Sequence, residues 1–157
     1  MRTAFTAVVA FLLGVATIAL HGDAAQPPGS RRVIRPEKSP NTGLPFSPGI
    51  LAGNTLYISG QLAMDPSGAV VGVGDATAQA RQCYTNLAAI LAHYGGSFRH
   101  LLKTTTYITH WGYRPQVAAA RDELFPAPPY PANTLVVVLG LAEPHFLVEI
   151  EGIAVLD

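Results

Sequence analysis

Residues 146–156 alternate between two sets of side chains, which is the pattern of a β-strand with two different faces. One face is wholly apolar and is formed by Phe146, Val148, Ile150, Gly152 and Ala154. The other face places Glu149 and Glu151 among large aliphatic side chains. An ionised carboxylate with apolar neighbours costs free energy unless it is hydrogen-bonded, paired with a cation or kept neutral. This strand is therefore the best candidate for chemistry in the chain.

Earlier segments predict further strands and two helices. Strands are expected over residues 49–52, 55–61, 69–73, 101–110 and 133–139, and Val33-Ile34 adds a short edge strand. Apolar residues three and four positions apart predict helices over residues 76–94 and 115–124. Asp75 is suited to cap the first helix and Gly95 to end it, while Pro115 suits the first turn of the second.

Strands distributed around two helices indicate an α+β domain with a mixed sheet and both helices packed on one face. No third helix is predicted for the opposite face, on which the last strand alone carries Leu147, Ile153 and Val155. An apolar surface of this kind is typical of a contact between subunits, so we expect an oligomer.

The first 25 residues differ in composition from the rest of the 157-residue chain. Arg2 precedes an apolar run over residues 4–20, and small residues follow through Ala25, which is the pattern of a secretory signal peptide. We expect cleavage after Ala24 or Ala25 and a periplasmic or secreted protein with no stable membrane association. An uncleaved membrane anchor is the alternative, although the run is slightly short to span a bilayer. Residues 26–43, with several prolines, are expected to link this segment to a domain over residues 44–157.

Charge and cysteine content reduce the number of possible classes of function. Ten basic and ten acidic residues give a net charge of zero, and nucleic-acid binding rests on neutralised phosphates, so we expect no nucleic-acid partner. The single cysteine excludes an intrachain disulfide. Cys83 falls in line with Ala80 and Leu87 on the first helix, which favours a small buried hydrophobic residue over a nucleophile.

Most catalytic patterns are absent from the sequence. The histidines are scattered without the spacing of a metal site, and phosphate-loop, dinucleotide and serine-elbow patterns are missing. We therefore expect neither a metal nor a cofactor. Glu149 or Glu151, with a raised pKa, could act as a general acid or base. A structural hydrogen bond to a backbone amide, to Lys103 or to Arg121 is the alternative, and the spacing leaves both open.

Several short motifs add a family resemblance. They are the segments 56–61 (LYISGQ), 79–82 (QARQ), 86–87 (NL), 103–105 (KTT), 131–132 (PA) and 148–155 (VEIEGIAV). With them the chain resembles the RidA/YjgF (Rid) family over about residues 44–157. The resemblance implies a chorismate-mutase-like fold, a homotrimer and small-molecule pockets in the clefts between subunits. It also implies hydrolysis of enamines and imines such as 2-aminoacrylate to a 2-oxo acid and ammonia.

The resemblance assigns Glu149 to the glutamate that positions or activates water, and Ser59 and Gly60 to the serine and glycine of the pocket. In the family, an arginine in a Pro-Ala-Arg-Ser motif grips the substrate carboxylate. This chain has Asn133 at that position, within Pro131-Ala132-Asn133-Thr134.

Two further positions depart from the family pattern: the family cysteine is Leu135 here, and a tyrosine near the start of the domain is matched by Phe46. Asn133 offers hydrogen bonds but no charge, so the bidentate grip is lost. We therefore expect hydrolysis of a neutral or differently anchored imine-like substrate, with Glu149 handling water and Asn133 orienting the ligand. A non-catalytic protein that binds a small molecule in the same cleft is the alternative.

Overall fold

The polypeptide folds into a mixed sheet with two α-helices, and the computed structural model describes residues 31–34 and 45–157. The strands are β1 (Arg31–Ile34), β2 (Gly49–Ala52), β3 (Thr55–Leu62), β4 (Leu101–Ile108), β5 (Ala132–Val137) and β6 (Val148–Val155). The helices are α1 (Ala76–His93) and α2 (Arg114–Leu124). The strand order in the sheet is β1-β2-β3-β6-β4-β5. β1 confirms the short edge strand expected at Val33-Ile34.

The carboxy-terminal strand lies inside the sheet. β6 pairs antiparallel with both β3 and β4, whereas β4 and β5 are parallel. A parallel pair needs a crossover connection, and α2 provides it between β4 and β5. Both neighbours of β6 therefore contribute side chains beside the two glutamates.

α1 covers one face of the sheet with the apolar stripe that its spacing predicts. The Asp75 carboxylate accepts hydrogen bonds from the amides of Thr77 (2.9 Å) and Ala78 (3.0 Å), which satisfies two free donors at the helix start. Gly95, with φ of +74°, follows the helix end. The core on this face contains the buried residues Leu56, Ile58, Cys83, Leu87, Leu91, Val117, Ala120, Val148 and Ile150. The α+β fold with both helices on one face is confirmed.

The strand expected over residues 69–73 is wrong. Only a single bridge joins Met64 and Val70. The Asp65 carboxylate holds a tight turn by accepting hydrogen bonds from the amides of Ser67 (2.8 Å) and Ala69 (3.0 Å). Gly72, with φ of +67°, then turns the chain towards α1 before a strand can form.

The predictions for the amino-terminal region fall largely outside the described residues. The signal peptide over residues 1–25 lies wholly outside them, and only Arg31–Ile34 of the expected linker over residues 26–43 is described. Among the residues that the structure does describe, no helix combines the length and apolar character needed to cross a bilayer.

Candidate functional site

A group of polar side chains lies on the sheet face away from the helices, which we call the open face. Side chains alternate along β4, so that Lys103, Thr105 and Tyr107 face away from the core. In the β4–β6 register, Tyr107 is opposite Glu149 and Thr105 is opposite Glu151. Residues directly opposite on neighbouring strands are close enough to interact. The two glutamates predicted to carry chemistry thus share one surface with a cation and two hydroxyl groups.

A β-bulge in β3 shapes this surface. The pairing of β3 with β6 shifts between Ile58 and Gln61, which leaves Ser59 and Gly60 out of the regular ladder. The Ser59 amide donates to the carbonyl of Pro48 (3.0 Å), and its hydroxyl donates to the carbonyl of Ser47 (2.7 Å). The bulge is therefore held by specific hydrogen bonds on the open face.

Gln61 supports the same bulge from the core side. Its side chain is buried, and Nε2 donates to the carbonyls of Ser59 (2.8 Å) and Gly60 (3.3 Å). These bonds satisfy carbonyl oxygens that the ladder does not pair. Gln61 is a positioning residue for Ser59 and Gly60.

Gly60 provides the space that the Glu149 side chain occupies. A Cβ atom added at Gly60 would lie 1.7 Å from Oε1 of Glu149 and 2.7 Å from its carboxyl carbon. These separations are far below a van der Waals contact, so a larger residue at position 60 would displace the carboxylate. The Ser-Gly motif and Glu149, joined by family resemblance in the sequence, are in direct contact.

The pKa of Glu149 is raised above its ordinary value, first by partial burial and then by the charge of Glu151. Of the side-chain hydrogen bonds within the described residues, none involves the Glu149 carboxylate. Lys103, one of the structural partners considered above, instead donates to the carbonyl of Thr104 and to the Thr134 hydroxyl, each at 2.7 Å. A carboxylate without a fixed partner and with a raised pKa is suited to act as a general acid or base.

A cavity of about 260 Å³ lies on the same sheet face as Glu149. Its polar lining is formed by Ser47, Ser59, Lys103, Thr105 and Glu151, and Tyr57 and Ile153 add apolar surface. This lining combines a cation, hydroxyl groups and a carboxylate, which suits a small polar molecule. Glu151 lines the cavity itself, whereas Glu149, two residues earlier on β6, is not among the lining residues.

Asn133 and Leu135 lie on the other face of the sheet. The hydroxyls of Thr104 (2.9 Å) and Thr106 (3.1 Å), both buried on the helix side, donate to Oδ1 of Asn133. Asn133 and Leu135 line a second cavity beneath α2, of about 270 Å³. Within one chain, these two residues are therefore not brought together with Glu149.

Phe46 lies near the bulge but is 45% exposed. It directly precedes Ser47, whose carbonyl accepts the Ser59 hydroxyl. Phe46 thus neighbours a cavity-lining residue, Ser47, but it does not line the cavity itself.

Sequence reasoning missed Thr105 and Tyr107 as site residues and considered Lys103 only as a structural partner. A signal for all three existed, because they alternate with apolar or small residues along one strand. Nothing in the local sequence, however, shows that this strand pairs with β6 in the register that sets them beside the glutamates.

Neither Cys83 nor a cluster of metal-binding side chains forms a second reactive centre within residues 31–34 and 45–157. The Cys83 thiol is fully buried and lies 3.5 Å from the carbonyl of Val148, and its pKa is raised mainly by burial. A buried thiol with a raised pKa is a poor nucleophile. In the part of the chain that the structure describes, no three His, Cys, Asp or Glu side chains cluster as metal ligands.

The chain is similar to known proteins over most of its length. A family model described as Endoribonuclease L-PSP matches residues 36–156. The 3-aminoacrylate deaminase RutC of Acinetobacter baylyi is 35% identical over 124 residues, which are 79% of this chain and 97% of RutC.

Solved structures show the same fold. YyfA of the Rid family from Yersinia pestis superimposes with a TM-score of 0.76 at 33% identity, covering 81% of this chain and 100% of YyfA. E. coli TdcF with bound serine gives a TM-score of 0.73 at 28% identity, covering 80% of this chain and 99% of TdcF. The family match over residues 36–156, the identity to RutC and the shared fold lead to one conclusion: the chain belongs to the RidA/YjgF family.

Proposed function

We propose that this protein is an exported hydrolase of imine or enamine intermediates, with Glu149 as the group that activates water. The observation that carries the proposal is the Glu149 carboxylate, which is seated against Gly60 and has a raised pKa. No described side chain fixes this carboxylate with a hydrogen bond. It is therefore free to exchange a proton with a bound ligand or water.

The geometry suits a two-step hydrolysis. Glu149 accepts a proton from water as the water oxygen adds to the carbon of the protonated imine, which gives a neutral carbinolamine. The same carboxyl group gives this proton to the amine nitrogen. The C–N bond then breaks as Glu149 takes the proton of the carbinolamine hydroxyl, so that ammonia and a carbonyl compound leave, and ammonia finally takes up the proton from Glu149. An enamine is first protonated on carbon to reach the imine. The Ser59 hydroxyl, which donates to Ser47, keeps an acceptor lone pair for the substrate nitrogen.

Two relatives support this reaction class. RutC is named as a deaminase of 3-aminoacrylate, which is an enamine, and it is similar to this chain over 97% of its own length. TdcF was solved with serine bound, so a protein of the same fold holds a small amino acid. Both names point to small nitrogen-containing molecules, and the zero net charge gives no electrostatic support for binding nucleic acid.

The proposal includes a homotrimer with sites in the clefts between subunits. Tyr57 and Ile153 on the open face are 51% and 36% exposed, which is apolar area suited to a subunit contact. Asn133 and Glu149 lie on opposite faces of one sheet, so they can share a ligand only when it sits between two chains. The signal peptide predicted over residues 1–25 supports a location of this trimer in the periplasm or outside the cell.

The test is hydrolysis by the wild-type protein and by Glu149→Gln. Freshly generated imines, one neutral and one carrying a carboxylate (2-iminopropanoate), are offered separately, and ammonia release is measured with a coupled assay. We expect Glu149→Gln to lower the rate by roughly 10²- to 10⁴-fold, because general acid–base groups contribute about that much. Glu143→Gln removes an exposed carboxylate elsewhere and is expected to keep the wild-type rate. An unchanged rate in Glu149→Gln would falsify the role of this residue.

A second candidate function, a non-catalytic small-molecule binder, is favoured by Asn133. Its side chain brings no charge, and Oδ1 is held by two threonines. A binder would release no ammonia from either imine above background and would still bind ligand. If Asn133→Arg then confers hydrolysis of 2-iminopropanoate, the catalytic groups are intact and only the substrate grip was missing.

A further inference from the structure

The cavity beneath α2, which we call the helix-side cavity, is lined by groups that donate hydrogen bonds. Arg114 and Arg121 reach it from α2, and Asn133 reaches it from β5. The two arginines are two helical turns apart and therefore share one helix face. Val117 and Leu135 add apolar surface, and no carboxylate lines the cavity.

Neither arginine has a carboxylate partner in the described part of the chain. The ion pairs described there join Arg81 to Glu123, and Arg99 and His100 to Asp157. The helix neighbours that face both arginines, at positions 117 and 118, are valine and alanine. Arg114 stacks on Trp111, with Cζ 5.7 Å from the ring centre, which leaves its N–H groups available.

The side-chain amide of Asn133 is oriented to donate hydrogen bonds. Its Oδ1 accepts hydrogen bonds from both Thr104 and Thr106, so the amide Nδ2 points away from these hydroxyls. Within the described residues, Nδ2 has no acceptor. The amide therefore adds two N–H donors near the two guanidinium groups.

Arg121 is held against the core. It is half-buried, and its charge acts on the buried Tyr84 hydroxyl, opposing the burial that raises the pKa of Tyr84 to about 12. That hydroxyl has no hydrogen-bond partner among the described residues. Arg121 is therefore less exposed to solvent than Arg114.

We propose that the helix-side cavity binds an oxyanion of a small organic molecule, a carboxylate or a phosphate, through Arg121, Arg114 and the Asn133 amide. Planar guanidinium groups match the oxygens of these anions, and charge-assisted hydrogen bonds are about twice as strong as neutral ones. Val117 and Leu135 offer apolar contact for the carbon skeleton next to the anionic group. Anion binding at this site does not depend on the hydrolysis proposed above.

One extension does rest on the proposed function. In a cleft between subunits, this site would hold the acidic end of a substrate whose imine reaches Glu149 of a neighbouring chain. Arg121 would then supply, from a helix, the charge that Asn133 lacks on the strand.

The test is anion binding by the full-length protein. Binding is monitored by NMR of the ¹⁵N-labelled arginine Nε and asparagine Nδ2 groups. The probes are pyruvate and inorganic phosphate, titrated separately at low ionic strength because salt screens such contacts. We expect saturable shifts at Arg121 and Asn133. Arg121→Gln should weaken binding roughly tenfold or more, since hydrogen bonds to charged groups contribute about that factor. The anion affinity of Arg121→Lys should lie between those of wild type and Arg121→Gln. Lysine keeps the positive charge but loses the planar, two-pronged set of guanidinium N–H donors.

Arg31→Gln is the matched control, because it removes the same charge from an exposed position on β1 and should leave binding unchanged. If pyruvate binds more tightly than phosphate, the anionic group of the ligand is a carboxylate. If phosphate binds more tightly, that group is a phosphate. If neither probe saturates, or if Arg121→Gln binds as tightly as wild type, the site is refuted. Anion binding is measured without hydrolysis, so a protein that binds anions but hydrolyses neither imine refutes the proposed function alone. A protein that hydrolyses an imine but binds neither anion refutes this site alone.

Discussion

The two faces of the central sheet are built from the same strands but serve different purposes. On the helix-covered face, Leu56, Ile150 and Ala154 are completely buried. On the open face, the intervening residues Tyr57, Glu149 and Glu151 remain partly or largely exposed, and two of them are acidic. The alternation of side chains along each strand thus produces a core on one face of the sheet and a reactive surface on the other.

The difference shows where each kind of polar group is tolerated. Gln79 and Thr104 on the covered face are buried and hydrogen-bonded, and the Tyr84 hydroxyl is the exception there among the described residues. On the open face, Glu149 makes no hydrogen bond through its side chain to any described residue, and its pKa is raised. Satisfied polar groups stabilise the fold, whereas the unsatisfied carboxylate is available for chemistry.

The largest effect is expected from Gln79→Leu on the covered face. The Gln79 side chain is fully buried; it donates to the carbonyls of Gly72 (3.1 Å) and His145 (2.8 Å) and accepts from the amide of Leu147 (2.8 Å). Leucine would leave these backbone groups unpaired, at about 1–3 kcal/mol each where no water replaces the bond. We expect the free energy of unfolding to fall by roughly 3–5 kcal/mol, measured by urea denaturation.

The matched control is Gln116→Leu, the same chemical change at an exposed position of α2. It should change the free energy of unfolding by no more than about 0.5 kcal/mol. If the two substitutions lowered the free energy of unfolding equally, the buried hydrogen bonds of the covered face would not be what stabilises the fold.

The covered face could be predicted from the sequence far better than the open face. The spacing of Cys83, Leu87 and Leu91 is local and gives the core helix directly. The contact between Gly60 and Glu149 depends on a bulge and on a strand register that join residues far apart in the chain. The turn that replaced the strand expected over residues 69–73 depends on one carboxylate, that of Asp65, whose hydrogen bonds outweighed the strand propensity of the valines.

The placement of Asn133 shows the same limit. Its face on β5 is set by a parallel pairing with β4 and by two threonine hydroxyls. The motif around residue 133 identifies the position but not the side of the sheet on which it lies. The two arginines of the helix-side cavity come from α2, outside every motif that carried the family resemblance.

A medium effect is expected from Gly60→Ala on the open face. The added methyl would overlap Oε1 of Glu149, which sits at the end of a flexible side chain, so the carboxylate moves while the backbone stays. A displacement of about 1 Å in a catalytic group can lower a rate by about 10²-fold. We expect such a loss in imine hydrolysis with a small change in thermal stability.

Gly140→Ala is the control, because a methyl group there meets nothing within 4 Å. A double-mutant cycle sharpens the result: adding Gly60→Ala to Glu149→Gln should cause little further loss if the methyl acts through the carboxylate. Fully additive losses would mean that Gly60 affects the reaction by another route.

The smallest effect is expected in the pH dependence of stability. Burial, and then the charge of Glu151, raise the pKa of Glu149 in the folded protein above 4.5, its ordinary value. The native state then holds this proton more tightly than the unfolded chain does, so stability falls as pH rises from about 4.5 through the raised pKa. Glu149→Gln cannot ionise and should be more stable than wild type at pH 7, with the difference shrinking below pH 4.5. Urea midpoints of both proteins at pH 4 and pH 7 measure it, and Glu151→Gln, which removes the second cause of the shift, should show part of the gain. A difference that does not depend on pH would show that the Glu149 carboxylate is satisfied in the native protein, and that the open face differs from the covered face in exposure alone.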